Sequence, residues 1–100
     1  MRRARVFVSR VYAGDLSQQE RGRFVFTYAS DYSGTPVSLT MPVATKHFEY
    51  EGFPPFFDGL LPEGNRLERL LKVAKLDATD YLGQLLAVGE DLVGNVTVTP

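Results

Sequence analysis

Hydrophobic positions alternate every second residue in the first half of the chain, take up a three-to-four-residue spacing in the middle, and return to alternation at the end. The first period predicts strands. Arg5 to Tyr12 is rich in β-branched and aromatic residues and predicts a first strand, with a bend at Gly14 and Asp15 before the polar stretch Ser17 to Gly22. Phe24, Phe26 and Tyr28 alternate with Arg23, Val25 and Thr27, the pattern of a strand with one buried and one wetter face. Ser30 to Pro36 reads as a loop, after which Val37, Leu39 and Met41 alternate with Ser38 and Thr40 up to Pro42 and predict a third short strand. After the middle section, a Gly94-Asn95 turn leads into a closing strand in which Val96 and Val98 alternate with Thr97 and Thr99.

The middle section predicts helices. Phe53, Phe56, Phe57, Leu60 and Leu61 fall at i, i+3, i+4, i+7 and i+8, one face of an amphipathic helix. Pro54 and Pro55 suit its first turn, where backbone N–H groups have no intrahelical partner, and they oppose a hairpin turning at Asp58-Gly59. Burying five such side chains is worth roughly 7 to 15 kcal/mol gross, which outweighs about 1 kcal/mol for Gly59. Leu61-Pro62-Glu63-Gly64 has proline and glycine where a type I turn prefers them. Asn65 then predicts an N-cap, with Glu68 as the other half of a capping box and Leu67, Leu70, Leu71 and Ala74 as the buried stripe. Arg66, Arg69, Lys72 and Lys75 occupy the remaining faces. A third helix runs from about Ala78 to Val88, preceded by Asp77, with Asp80 at its third position, Tyr81, Leu82, Leu85 and Leu86 facing inward and Gly89 stopping it. The sum is an α+β fold: a small, mostly antiparallel sheet of three N-terminal strands plus a C-terminal strand, packed with three short helices.

Composition narrows the function classes. One hundred residues at 44% hydrophobic content predict one compact domain spanning residues 1–100. A net charge of −1 gives no global drive towards nucleic acid or an anionic membrane. Arg2, Arg3, Arg5, Arg10, Arg21 and Arg23 crowd the first quarter and read as the outward face of an early hairpin. Without cysteine there are no disulfides, thiol nucleophiles or thiolate metal sites, and the short apolar run Val6 to Val8 is no export signal, so a cytoplasmic location is expected. His47 is the only histidine, which rules out a two-histidine metal site, and neither phosphate-cradling glycine motif occurs. Capping and turn solvation account for Asp58 and Glu63 without an acid–base pair. No catalytic residue, cofactor site or metal site is expected.

Four segments carry a resemblance: Phe-Val-Phe-Thr-Tyr at Phe24 to Tyr28, Pro-Val-Ser-Leu-Thr-Met-Pro at Pro36 to Pro42, Phe-Phe-Asp-Gly-Leu-Leu-Pro-Glu-Gly at Phe56 to Gly64, and Val-Gly-Glu-Asp-Leu-Val-Gly-Asn-Val at Val88 to Val96. In this order they resemble the small N-terminal subdomain of HipA-type serine/threonine kinases, and at this length its free-standing, HipS-like form. The resemblance implies a non-catalytic antitoxin. Its expected partners are a HipT/HipA-like serine/threonine kinase and, as third member of the complex, a HipB-like DNA-binding protein. In the fused form the same subdomain packs on its own kinase and is a structural or autoregulatory part of it. The expected docking surface is the turn and helix start formed by Pro62, Glu63, Gly64, Asn65, Arg66 and Arg69. Free-standing members often carry a bulky aromatic directly after Pro-Glu-Gly; here that position is Asn65, and the chain has no tryptophan.

Overall fold

A computed structural model describes residues 2–90, 92 and 94–100. Its core is a five-stranded, wholly antiparallel sheet in the order β4-β3-β2-β1-β5, formed by β1 (Arg2–Val8), β2 (Val11–Gln18), β3 (Phe24–Tyr28), β4 (His47–Tyr50) and β5 (Val96–Thr99). Between β4 and β5 come α1 (Pro55–Asp58), α2 (Gly64–Ala74) and α3 (Tyr81–Val88). The α+β architecture agrees with the sequence pattern, and β3 and β5 lie where alternation placed them.

The first predicted strand is in fact a hairpin. Ser9 and Arg10 both have positive φ (48° and 68°), as a two-residue type I′ turn requires, so the segment Arg5 to Tyr12 doubles back on itself. Its signal was hidden because neither residue is glycine, asparagine or aspartate. Gly14 makes no bend. It lies within β2 beside a bulge at Ala13, where a Cβ would stand 2.3 Å from the Thr27 carbonyl oxygen, so glycine allows β2 and β3 to approach.

The predicted third strand, Val37 to Met41, is a loop. Tyr28 lies 3% exposed on β3, and its hydroxyl accepts from the Val37 N–H at 2.9 Å and donates to the Met41 carbonyl. These bonds draw Val37 and Met41 into the core and leave Leu39 outside, 98% exposed. The extra strand instead is β4, from a segment expected to be loop. His47 and Glu49 face outward and contact each other at 3.1 Å, while Phe48 and Tyr50 lean on the core.

One face of the sheet is dry. Ala4, Val6, Val8, Leu16, Phe24, Phe26, Tyr28, Val96 and Val98 meet Phe57 of α1 and Leu82 and Leu85 of α3. Phe57 alone of the predicted helical stripe is fully buried; Phe53, Phe56, Leu60 and Leu61 pack half-buried at its margin, and α1 is one turn long. Asp80 is the N-cap of α3, not its third residue: its carboxylate accepts from the Gly83 N–H at 3.0 Å and from Arg2 at 2.6 Å, which ties β1 to the helix. Gln84, 1% exposed, donates to the carbonyls of Asp77 and Ala78, so its burial leaves no amide proton donor stranded. Gly89 ends α3 as expected, and its carbonyl accepts from the Val98 N–H at 2.9 Å on β5. Asp91 and Val93, within the last of the resembling segments, lie outside the described residues.

Candidate functional site

The helix that carries the expected docking residues is held loosely. No residue of α2 is buried, although its apolar and charged positions are sharply segregated; Leu67, Leu70 and Leu71 are half-covered and Ala74 is exposed, so the expected buried stripe is only partly built. The start of α2 also differs from expectation. Glu63 is extended (φ −130°, ψ 163°), which excludes a type I turn at Leu61 to Gly64, and it is Glu63 that occupies the N-cap, without a capping side chain. Gly64 follows at φ 60°, a left-handed step that favours glycine. Asn65 therefore lies within the first helical turn, and no Asn65–Glu68 capping box forms. At the other end Lys75 turns left-handed and its N–H reaches the Leu71 carbonyl.

Between α2 and the end of α3 runs an open groove of about 420 Å³, lined by Pro62, Asn65, Arg66, Arg69, Leu70, Val73 and Val88. Four of the six expected docking residues, Pro62, Asn65, Arg66 and Arg69, thus come together. Glu63 and Gly64 are exposed beside the groove but do not line it. Sequence reasoning missed Val73 and Val88 and assigned Leu70 to the core alone. The signal was present: Arg66, Arg69, Leu70 and Val73 stand at i, i+3, i+4 and i+7, a second helical face beside the leucine stripe. Val73 is 78% exposed.

Among the described residues, the charged side chains lining the groove are Arg66 and Arg69. A larger hollow of about 950 Å³ lies by the β2–β3 connection, and two of its cations are neutralised within the fold: Arg23 contacts Glu49 and Arg2 contacts Asp80. His47 there lies between Thr27 and Glu49, and among the described residues no group of three or more metal-ligating side chains occurs. Arg3 lies beside Asp15, and Arg5 beside the Pro100 carbonyl and the Phe7 ring, whereas Arg10 and Arg21 are exposed. Among the described residues no helix is long and apolar enough to cross a membrane.

Fold and groove together define a small two-layer α+β domain whose weakly packed second helix borders an open, largely aliphatic groove. The chain belongs to the HipA N-terminal domain family, whose model matches residues 4–99. A protein of Haemophilus influenzae, described as uncharacterized, is 33% identical over 98 residues, which cover 98% of this chain and 92% of that protein. The solved N-terminal domain of HipA toxin superimposes with a TM-score of 0.77 at 31% identity, over 99% of this chain and 92% of that one. The fold recurs, at 24% identity and a TM-score of 0.75, in the Shewanella oneidensis toxin–antitoxin complex of HipA, HipB and operator DNA, where the match spans 97% of this chain and 23% of the other. The family thus places the chain's fold in the context of toxin–antitoxin systems.

Proposed function

We propose that this chain is a non-catalytic antitoxin that binds a HipT/HipA-like serine/threonine kinase and inhibits it by docking near the active site. The groove between α2 and α3 is the docking surface, with Pro62, Asn65, Arg66 and Arg69 in contact and Glu63 and Gly64 at its edge. The observation that carries this reading is a HipA N-terminal domain whose second helix leaves an apolar and cationic face uncovered by its own fold. The Haemophilus relative supports a separate role, since it is matched over 92% of its length and so consists of this domain and little else. Inhibition here is steric, because the groove offers contact area and charge but no group that transfers a proton or a phosphoryl. A HipB-like DNA-binding protein is the third member of the assembly, and the cytoplasm is its setting.

Where the resemblance to free-standing members implies an aromatic, this chain has Asn65. It lies on the first turn of α2 and lines the groove, so obstruction of the kinase relies on the whole groove face and not on one inserted ring. The test is co-expression with a HipT/HipA-like kinase of the same organism, reading growth and co-purification. Rescue of growth together with a stable complex is expected; no rescue and no complex would defeat the reading. Reading the gene beyond Pro100 tests the alternative, a structural or autoregulatory subdomain of a longer kinase, which continuous coding into a kinase would establish.

A further inference from the structure

The groove has two chemically distinct parts. Leu70 and Val73 of α2 face Val88 at the end of α3 and form an aliphatic floor, while Arg66 and Arg69 stand one turn earlier on the same face and edge it with positive charge. Among the described residues these two arginines make neither an ion pair nor a side-chain hydrogen bond, whereas Arg2, Arg3 and Arg23 each meet a carboxylate of the fold. Glu68, the acid of α2, is two positions from Arg66 and one from Arg69, spacings that do not face each other on a helix. Among the described residues no carboxylate pairs with either arginine, although Glu63 lies three positions before Arg66 at the groove's edge.

We infer that the groove is built for an acidic, apolar segment of the partner kinase: aliphatic side chains settle on Leu70, Val73 and Val88, and carboxylates beside them pair with Arg66 and Arg69. This rests on the reading that the groove docks the kinase, and it adds the chemistry of what docks. Guanidinium groups match carboxylates in a two-pronged geometry, and their charge also steers the encounter, so the arginine edge sets both register and association rate. The aliphatic floor supplies the burial that holds the segment once it arrives. Positive charge confined to the edge, on a chain whose net charge is −1, points to a local match with a peptide segment and not to a general attraction for polyanions.

The test uses the full chain and a purified HipT/HipA-like kinase of the same organism, with affinity measured by calorimetry and folding of each variant checked by circular dichroism. Arg66→Glu/Arg69→Glu is expected to weaken binding by about tenfold or more, and Arg10→Glu/Lys72→Glu, the same charge change outside the groove, by less than about threefold. Wild-type affinity falls as salt rises from about 50 mM to about 300 mM, and that dependence flattens in the Arg66→Glu/Arg69→Glu variant. Val73→Asp abolishes binding. If Val73→Asp abolishes binding but the arginine reversal does no more than its control, the groove docks a segment that is not acidic: the inference falls and the docking reading stands. If Val73→Asp also binds like wild type, docking lies elsewhere and both fall. Self-association of the free chain in sedimentation, lost in Val73→Asp, would equally overturn the inference by assigning the groove to a second copy.

Discussion

A single hydroxyl decides how Val37 to Met41 is read. The alternation of Val37, Leu39 and Met41 looks like a strand, yet it arises because Tyr28 holds the Val37 N–H and the Met41 carbonyl of a loop that leaves Leu39 in solvent. Period-two burial can be produced by one buried anchor, and sequence spacing does not distinguish that from a ladder. Tyr28→Phe strands both backbone groups and is expected to cost about 1–3 kcal/mol, measured as a lower urea midpoint at unchanged slope. Two caps invite a paired test. Asn65, which reads as an N-cap in the sequence, lies inside α2, so Asn65→Ala is expected to change stability by less than about 0.5 kcal/mol. Asp80 is the true cap and also receives Arg2, so Asp80→Ala is expected to cost about 1–2 kcal/mol. A loss at Asn65 as large as that at Asp80 would contradict the assigned start of α2. The aspartate was visible in the sequence but assigned three residues too far into its helix, because the apolar period near Ala78 does not mark where helical dihedrals begin.

At the scale of elements, the sequence conveyed period better than partnership. The phenylalanine-rich stripe from Phe53 predicted five buried side chains, but α1 is too short to bury more than one of them completely, and Gly59 and Pro62 bound its length. Phe57→Ala is accordingly expected to cost about 3–5 kcal/mol and Phe56→Ala less than half as much, from denaturant unfolding of the two variants. The edge strand β4 escaped notice because four residues give too short an alternation to separate from loop, and its pairing depends on β3 being already in place. Within α2 the cationic positions were legible as an expected contact surface, while Val73 and Val88 were not, since recognising them required knowing that α3 ends beside α2. The joint between α3 and β5 is equally a tertiary matter. A Cβ on Gly89 would stand 2.0 Å from the Val98 carbonyl oxygen, so Gly89→Ala is expected to destabilise by about 1–3 kcal/mol or more, seen as a lowered thermal midpoint.

For the molecule as a whole, the fold class followed from segregated periods, whereas the five-strand order did not, because nothing local in β1 or β5 announces that the two are neighbours. Global stability also carries a pH signature. Burial holds the hydroxyls of Tyr28, Tyr32 and Tyr50 protonated above their ordinary value of 10.0, since the phenolate is poorly solvated there. The unfolded chain releases these protons first as pH rises, so the contribution to stability is complete below pH 10.0 and is lost progressively above it. Urea midpoints are expected to be insensitive to tyrosine ionisation at about pH 8–9 and to fall by about pH 11, with a shallower fall in Tyr28→Phe; a midpoint that rises above pH 10 would contradict this. Pairing of the last strand with the first, from Arg5 opposite Thr99 to Val8 opposite Val96, has a kinetic consequence. The β1–β2 hairpin closes through two residues on a microsecond timescale, but the β1–β5 ladder must wait for two segments far apart in sequence to meet, at an entropic cost that grows with the enclosed length. Until that encounter, β1 exposes an unpaired edge open to strands of other chains. Refolding yield should therefore fall with protein concentration even where the native domain is monodisperse.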